Sequence, residues 1–513
     1  MHRKSTFRKS SLALALFLIL TVSSCGDAQT EADETTAGNT DETSVDSIEE
    51  ENDPFADFDY GGEEIRIWTA INAASGIGNS NYLIEGPEEE TGDLVSDSAY
   101  LRNRSVEEIL NVKLVFTELD NDYTTCAGTI NKIILAGDDL YDIIINDLFP
   151  LAGLSLEGSF LNVADAPYID YSQSYWYENY MSQLSLDGGE HQYILAGDFF
   201  IDVLRSAHAL YFNKDLLTDT YGDGDIIYKE VLDGSWTYDS FLKYIEDGYR
   251  DLNGNNLRDS EDQYGLAVMQ VWGPSIPFIV SADLKYVELN SDGSLKLAMN
   301  NERSISLLEK LNEIFYSTGT GIGADVSDGL FFGSADPDGD TTNLFKSGRA
   351  LFLGYNRLGS FDDMRDMTDE VGILPYPKFD EAQENYISSS HDTTEIGVIP
   401  ITNTKFDTTC AVLEVLNRET QKYVLPAYYE TGLKVKYTRD DYSAQMIDII
   451  HDNIGGSFAL AYSNSCSDIF MKSSFYNLLI EKRTDFVSNY TALESAAQAQ
   501  IDKMVESFNS IDQ

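Results

Sequence analysis

Basic residues are scarce in this 513-residue chain: 34 Lys and Arg stand against 87 Asp and Glu, a formal net charge of −53. That balance argues strongly against nucleic acid, whose phosphates would be repelled. It also argues against a polyanionic substrate, leaving only a local basic pocket as an exception, and it suits solubility at an exposed surface. Cysteine is nearly absent, with four residues. Apart from Cys25, the three others (Cys126, Cys410 and Cys466) are odd in number, widely spaced and free of CxxC spacing. Neither a disulfide scaffold nor a zinc site is indicated; one bridge plus a free thiol and three buried thiols both fit. His2, His191, His208, His391 and His451 are scattered without metal-ligand spacing. GxSxG, HExxH and P-loop motifs are missing, so the chain is not read as an enzyme. Gly319-Thr320-Gly321-Ile322-Gly323 follows a predicted helix, which argues against a phosphate cradle. The chain has no internal repeat.

The N-terminus is rich where the body is poor. Arg3, Lys4, Arg8 and Lys9 precede an apolar run from Leu12 to Leu20, and Val22-Ser23-Ser24-Cys25-Gly26 closes it. This is the layout of a secretory signal over residues 1–24, too short for a comfortable membrane span. The ending resembles the lipobox of bacterial lipoproteins, which implies that Cys25 is acylated and becomes the mature N-terminus. Residues 25–59 then carry thirteen acidic residues and no Lys or Arg. A segment so charged and poor in apolar surface is expected to stay a disordered tether. Removing both leaves a body near −44.

About 450 residues remain, enough for two lobes with substantial cores. Glu64 to Thr69 alternates charged and apolar residues and reads as a strand, and Ser96–Asn111 reads as a helix. Val112–Phe116 is a second strand, Ile130–Leu135 belongs to a helix, and Tyr141–Ile145 is an apolar strand buried on both faces. Leu210–Asn213, Ala350–Leu353, Val371–Leu374 and Glu395–Ile399 are further strands. Thr237 is the N-cap of a predicted helix to Tyr249, and Ser304–Tyr316 is another helix. From Thr408 onward the pattern is mostly helical, and 328–342 reads as an exposed Gly/Asp-rich loop. Alternating strands and helices imply an α/β fold with parallel sheets.

Several diffuse signatures follow one another in order. They include Arg102-Asn103-Arg104-Ser105-Val106-Glu107-Glu108, Tyr141-Asp142-Ile143-Ile144, Leu210 to Leu217, Gly234-Ser235-Trp236-Thr237, Phe345 to Phe352 and Gly372 to Lys378. In that order they resemble the family 1, maltose-binding-protein-like extracellular solute-binding proteins of ABC importers, over roughly Tyr60 to Gln513. The resemblance implies a two-lobe periplasmic-binding-protein-like fold (type II) with a ligand cleft between hinge-linked lobes. It places crossings near Ser206–Leu210, Gly354–Arg357 and Pro400–Thr404. Lobe 1 would then comprise 60–205 plus 355–403, and lobe 2 would comprise 206–354 plus 404–513.

The sharpest local motif runs from Asp251 to Asp262. Asp251, Asn253, Asn255, Asp259 and Asp262 place side-chain oxygens at loop positions 1, 3, 5, 9 and 12, and Leu257 offers its carbonyl at 7, as a seven-coordinate Ca²⁺ requires. A structural Ca²⁺ clip is expected, although Asn256 replaces the usual Gly and Asp262 the usual Glu. The alternative is a polar turn closed by Asx hydrogen bonds. Asp336, Asp338 and Asp340 read as a solvated loop. For a ligand, flat rings and planar polar groups at strand ends are wanted. By analogy of position in the architecture that the resemblance implies, these are Trp68, Thr69, Asn72, Asn146, Asp147, Trp272, Tyr355, Asn356 and Arg357.

The expected function is a lipid-anchored receptor on the extracellular face of the cytoplasmic membrane. It would bind a small solute, a sugar or oligosaccharide, as a monomer and deliver it to ABC permease subunits, with no required cofactor. The alternatives are a surface lipoprotein glycoside hydrolase and a carbohydrate-binding scaffold.

Overall fold

β1 (Glu63–Ala70) buries Ile65, Ile67 and Trp68 and passes through the centre of a sheet. α1 (Leu94–Leu110) begins where the Asp93 side chain accepts the Ser96 N–H, and it ends on Asn111 at φ 48. Asn tolerates that left-handed conformation better than most residues. β2 (Val112–Leu119) returns parallel to β1. α2 (Cys126–Ala136) leads to β3 (Ile143–Asp147), which is buried throughout and parallel to β1 on its other side. The computed structural model describes residues 53–70, 77, 80–119, 123–269, 272–322, 337–364, 366–429, 441–466 and 468–511. The signal segment, Cys25, most of the tether and Asn72 lie outside them.

The second sheet opens with β4 (His208–Asn213), whose last residue caps α3 (Lys214–Tyr221). α4 (Tyr238–Asp247) starts in a reciprocal capping box between Thr237 and Ser240. Trp236, just before it, is fully buried against Phe241, Tyr244 and Phe352 and donates its indole N–H to the Pro375 carbonyl. β5 (Tyr264–Val268), α5 (Trp272–Ser281), α6 (Glu302–Tyr316), β6 (Thr320–Ile322), α7 (Pro337–Lys346), β7 (Ala350–Arg357) and β8 (Val371–Leu374) follow. β9 (Glu395–Val398) then joins the first sheet, and α8 (Phe406–Glu419), α9 (Asp441–Asp452) and α10 (Phe486–Asn509) complete the chain's long helices.

The sheets are ordered β9-β3-β1-β2 and β8-β4-β7-β5-β6. Each mixes directions. β1, β2 and β3 are parallel and β9 is antiparallel; β7, β5 and β6 are parallel, while β4 is antiparallel to both its neighbours. Antiparallel strands enter where the chain changes sheets, because β4 and β9 both arrive from the opposite body.

The segment boundaries follow this pairing rather than the expected partition. Residues 355–403 contribute to both sheets, since β8 pairs with β4 while β9 pairs with β3. Residues 404–513 are also divided: α8 packs on α1, α9 on β8, and α10 on α6. The folded body begins at Pro54, before the expected end of the tether at 59. Phe55 is buried there against Phe58 and Tyr168, with the Arg418 guanidinium 5.6 Å from its ring centroid. The expected loop at 328–342 is helical from Pro337, a residue suited to a first helical position, so Asp338 and Asp340 lie on α7. Cys126, Cys410 and Cys466 are buried, and none forms a disulfide bridge. No helix among the described residues is long and apolar enough to cross a membrane.

Candidate functional site

The chain passes between the sheets at residues 206–208, and two other segments flank that passage. On one side the Leu358 N–H donates to the Ala207 carbonyl at 2.8 Å, and His208 sits opposite Arg357 in the β4–β7 ladder. On the other, the His391 N–H donates to the Ser206 carbonyl at 3.1 Å and Ala207 bridges to Ser390. Three strands far apart in sequence thus run side by side. Their side chains make one polar and aromatic cluster.

Tyr355 is its centre. Its φ of +62 is unusual for a bulky residue and costs of order 1 kcal/mol or more. Its N–H donates to the Tyr376 hydroxyl at 2.9 Å, and its own hydroxyl lies 3.1 Å from His391 Nε2. His208 stacks on the ring at 5.3 Å, the Arg357 guanidinium lies 5.1 Å from the ring centroid, and the ring edge lies against Gly273, where a Cβ would approach within 2.5 Å. His208 is buried, its Nδ1 lying 3.0 Å from the Ser389 carbonyl and 2.9 Å from its hydroxyl. Burial first, then the charges of His391 and Arg357, hold its pKa well below the ordinary value; it is neutral at pH 7. His391 Nδ1 meets the Thr393 hydroxyl at 2.8 Å and Asp392 at 3.0 Å. Burial pushes the Asp392 carboxyl up, but the hydrogen bond and charge of His391, with the charge of Arg357, outweigh it and hold it below the usual range.

Beneath this lies a buried acidic set. Glu395 pairs with Asp147 across β9 and β3, and its N–H donates to Asp202 at 3.0 Å. Asp202 accepts from the Ser80 hydroxyl at 2.7 Å, and Arg205 donates to the same Ser80 oxygen at 2.5 Å and to the Ile77 carbonyl at 3.0 Å. The Glu395 carboxyl has no hydrogen-bond partner on either oxygen. Burial, then the charges of Asp202 and Asp147, raise its pKa well above the ordinary value, opposed by Arg205.

A third link joins the two bodies away from the strands. Asp198 accepts from the Tyr177 hydroxyl at 2.9 Å and lies 3.2 Å from His451 Nε2, while His451 Nδ1 lies 3.0 Å from Asp452. Burial lowers the His451 pKa, but the hydrogen bonds and charges of the two carboxylates prevail and raise it to about 10. His451 therefore carries charge at neutral pH.

The sequence-derived ligand residues separate into groups. Tyr355, Asn356 and Arg357 sit in the crossing cluster, partly exposed. Asp147 belongs to the buried acidic set, and Asn146 accepts its N–H at 2.9 Å. Trp68 and Thr69 are fully enclosed in β1, with Trp68 5.5 Å from the Tyr141 ring. Trp272 is the first residue of α5. His208, His391, Asp392, Arg205, Glu395 and His451 are additions that spacing could not reveal, because the contacts that bring the cluster together (His208 to Ser389, His391 to Tyr355, Arg205 to Ser80, Glu395 to Asp202 and His451 to Asp198) join residues far apart in sequence.

The 251–262 loop closes on itself. Asp251 accepts from the Gly254 and Asn256 N–H groups at 2.7 and 2.9 Å, Asn253 from the Asn255 N–H, and Asn255 from the Leu257 N–H. Asp262 is buried, and its oxygens accept from the Leu252 and Asp259 N–H groups and the Tyr249 hydroxyl. Asp259 accepts from the amides of Asn253 and Asn255. The loop's side-chain oxygens thus accept from its own N–H groups, and no group of three or more His, Cys, Asp or Glu suited to a metal occurs among the described residues.

No protein-family model matches the chain, and no curated protein matches it. Solved structures do. UspC from M. tuberculosis aligns at TM-score 0.52 with 14% identity, covering 85% of this chain and 100% of that one. UgpB from Mycobacterium tuberculosis, in complex with glycerophosphocholine, aligns at 0.52 with 13% identity over 87% and 100%. A family 1 extracellular solute-binding protein from Bifidobacterium longum subsp. infantis aligns at 0.52 with 12% identity over 86% and 100%. The likeness is one of fold: this chain has the mixed α/β, two-lobe type II architecture of solute-binding proteins.

Proposed function

We propose that this chain is the extracellular receptor of an ABC importer, held to the membrane by a lipid on Cys25. Its solute is a small molecule, a sugar or oligosaccharide, which it hands to permease subunits. The observation that carries the reading is the crossing cluster: three strands converge between two sheets and present Tyr355, Asn356 and Arg357 at their partly exposed end. A solute contacting both bodies there would favour the closed arrangement over the open one by its differential contacts, a population shift about the crossing strands. The acidic segment after Cys25 would keep the body clear of an anionic lipid surface by like-charge repulsion.

Two features support a receptor over a hydrolase. The fold is that of solute-binding proteins. Asp147, Asp202 and Glu395 are buried, whereas a glycosidase pair must flank an accessible bond.

Thermal melting against a panel of neutral and acidic mono- and oligosaccharides tests the proposal. A ligand at a hundred times its Kd stabilises the native state by about 2.7 kcal/mol. The expected result is a melting temperature that rises with one sugar class, with that sugar recovered intact. Shorter products would indicate a hydrolase, and indifference to every small solute would overturn the receptor reading.

A further inference from the structure

Arg357 is the anomaly among the arginines. Every other described arginine donates its side-chain N–H groups to a carboxylate, a carbonyl or a hydroxyl. Arg357 has no such acceptor among the described residues, and its Nε is enclosed without one. Asp392 is near enough to be lowered by its charge but forms no ion pair with it. In a chain with 87 acids to 34 bases, a half-buried guanidinium that finds no acid is a costly exception. It is also held in place. The guanidinium lies 5.1 Å from the Tyr355 ring centroid, and that ring is fixed by His208, Gly273 and its hydroxyl contact to His391. A ring packed in this way serves as a support for the cation rather than as a free platform for a sugar face.

We propose that Arg357 is an anion-recognition residue and that the solute carries a carboxylate or a phosphoryl group, as an acidic sugar does. The inference rests on the receptor reading above and narrows it. The planar guanidinium fork matches either oxyanion bidentately. The strongly negative body makes the requirement selective: its overall charge disfavours an acidic solute, and Arg357 supplies a fixed cation to meet one.

Calorimetric titration of the full-length protein tests the inference with matched pairs: glucose against glucuronate, galactose against galacturonate, and glucose against glucose 6-phosphate. The expected result is at least about tenfold tighter binding of an acidic member than of its neutral partner, with an advantage that shrinks between 0.05 and 0.5 M salt. The uronate and phosphate arms show which oxyanion is taken. Arg357→Gln should bring the acidic-to-neutral ratio toward one. Arg357→Lys, which keeps the charge but not the fork, should fall between the two and guards against a folding defect in the Gln variant. Equal binding of both members of each pair, or a ratio unmoved by Arg357→Gln, overturns the anion site while leaving the receptor standing. If no sugar of either kind binds, both readings fall.

Discussion

Replacing Glu395 by Gln isolates the energetics of the buried acidic set. In the folded chain the Glu395 carboxyl is enclosed and without a hydrogen-bond partner, and its pKa is raised by burial and by Asp202 and Asp147. In the unfolded chain it titrates near 4.3. Between those two values the folded protein keeps a proton that the unfolded chain has released. Stability is therefore full below the unfolded pKa and is lost as pH rises toward the folded one. The slope is about 1.4 kcal/mol for each pH unit over which the folded carboxyl stays protonated. Gln has the same shape and cannot ionise, so the variant should lack this slope. At pH 4.5 the two proteins should melt close together, and the variant should lead by about 1.4 kcal/mol for each further pH unit until the folded carboxyl ionises. For a body of this length that is roughly 1.4 °C per pH unit, at about 1 °C per kcal/mol from the entropy of unfolding per residue. Melts of both proteins from pH 4.5 to 8 measure it. Parallel profiles, or a variant that loses ground as pH rises, would refute the reasoning.

His451→Gln should leave Asp198 buried without its cation, at a cost of about 3 kcal/mol. Because the His451 pKa is raised to about 10, its contribution is present below pH 6.5 and is lost between 6.5 and 10. The gap between wild type and variant in urea melts should narrow over that window. Gly265→Ala should destabilise by about 2 kcal/mol or more, since its Cβ would come within 2.0 Å of the Ile245 carbonyl oxygen; far-UV circular dichroism during heating measures the loss. For the 251–262 loop, EDTA and millimolar calcium should leave the melting temperature unchanged, because Asp251 and Asp262 are engaged by the loop's own N–H groups. A rise of several degrees with calcium would show that the loop reorganises around a cation.

Much of the fold was legible in the sequence because local rules and tertiary packing agree. Ile143, Ile144 and Ile145 form a continuous apolar run, and β3 is buried at every position. Thr237 looks like an N-cap and makes a capping box. Val371–Leu374 is a strand with the expected ends. Where reading failed, a longer-range or overlooked cue decided. Pro337 starts a helix inside an apparent Gly/Asp-rich loop, and Phe55 draws an otherwise acidic stretch onto the body through Phe58 and Tyr168.

The candidate site was much less legible. Tyr355, Asn356 and Arg357 were named because the resemblance puts a crossing there, whereas the contacts of Tyr355 with His208 and His391 come only from the tertiary fold. Those histidines have no spacing in common and meet only because strands cross. Trp68 shows the opposite case: its ring, attractive as a stacking surface, is fully enclosed in the first sheet. A residue's type and its place at a strand end do not say which face it occupies.

The central claim is that two bodies joined by the crossing strands close around a solute. Small-angle scattering on the protein, alone and saturated with the sugar that raises its melting temperature most, tests this directly. The radius of gyration should be smaller in the saturated sample. An unchanged radius at proven saturation would contradict it.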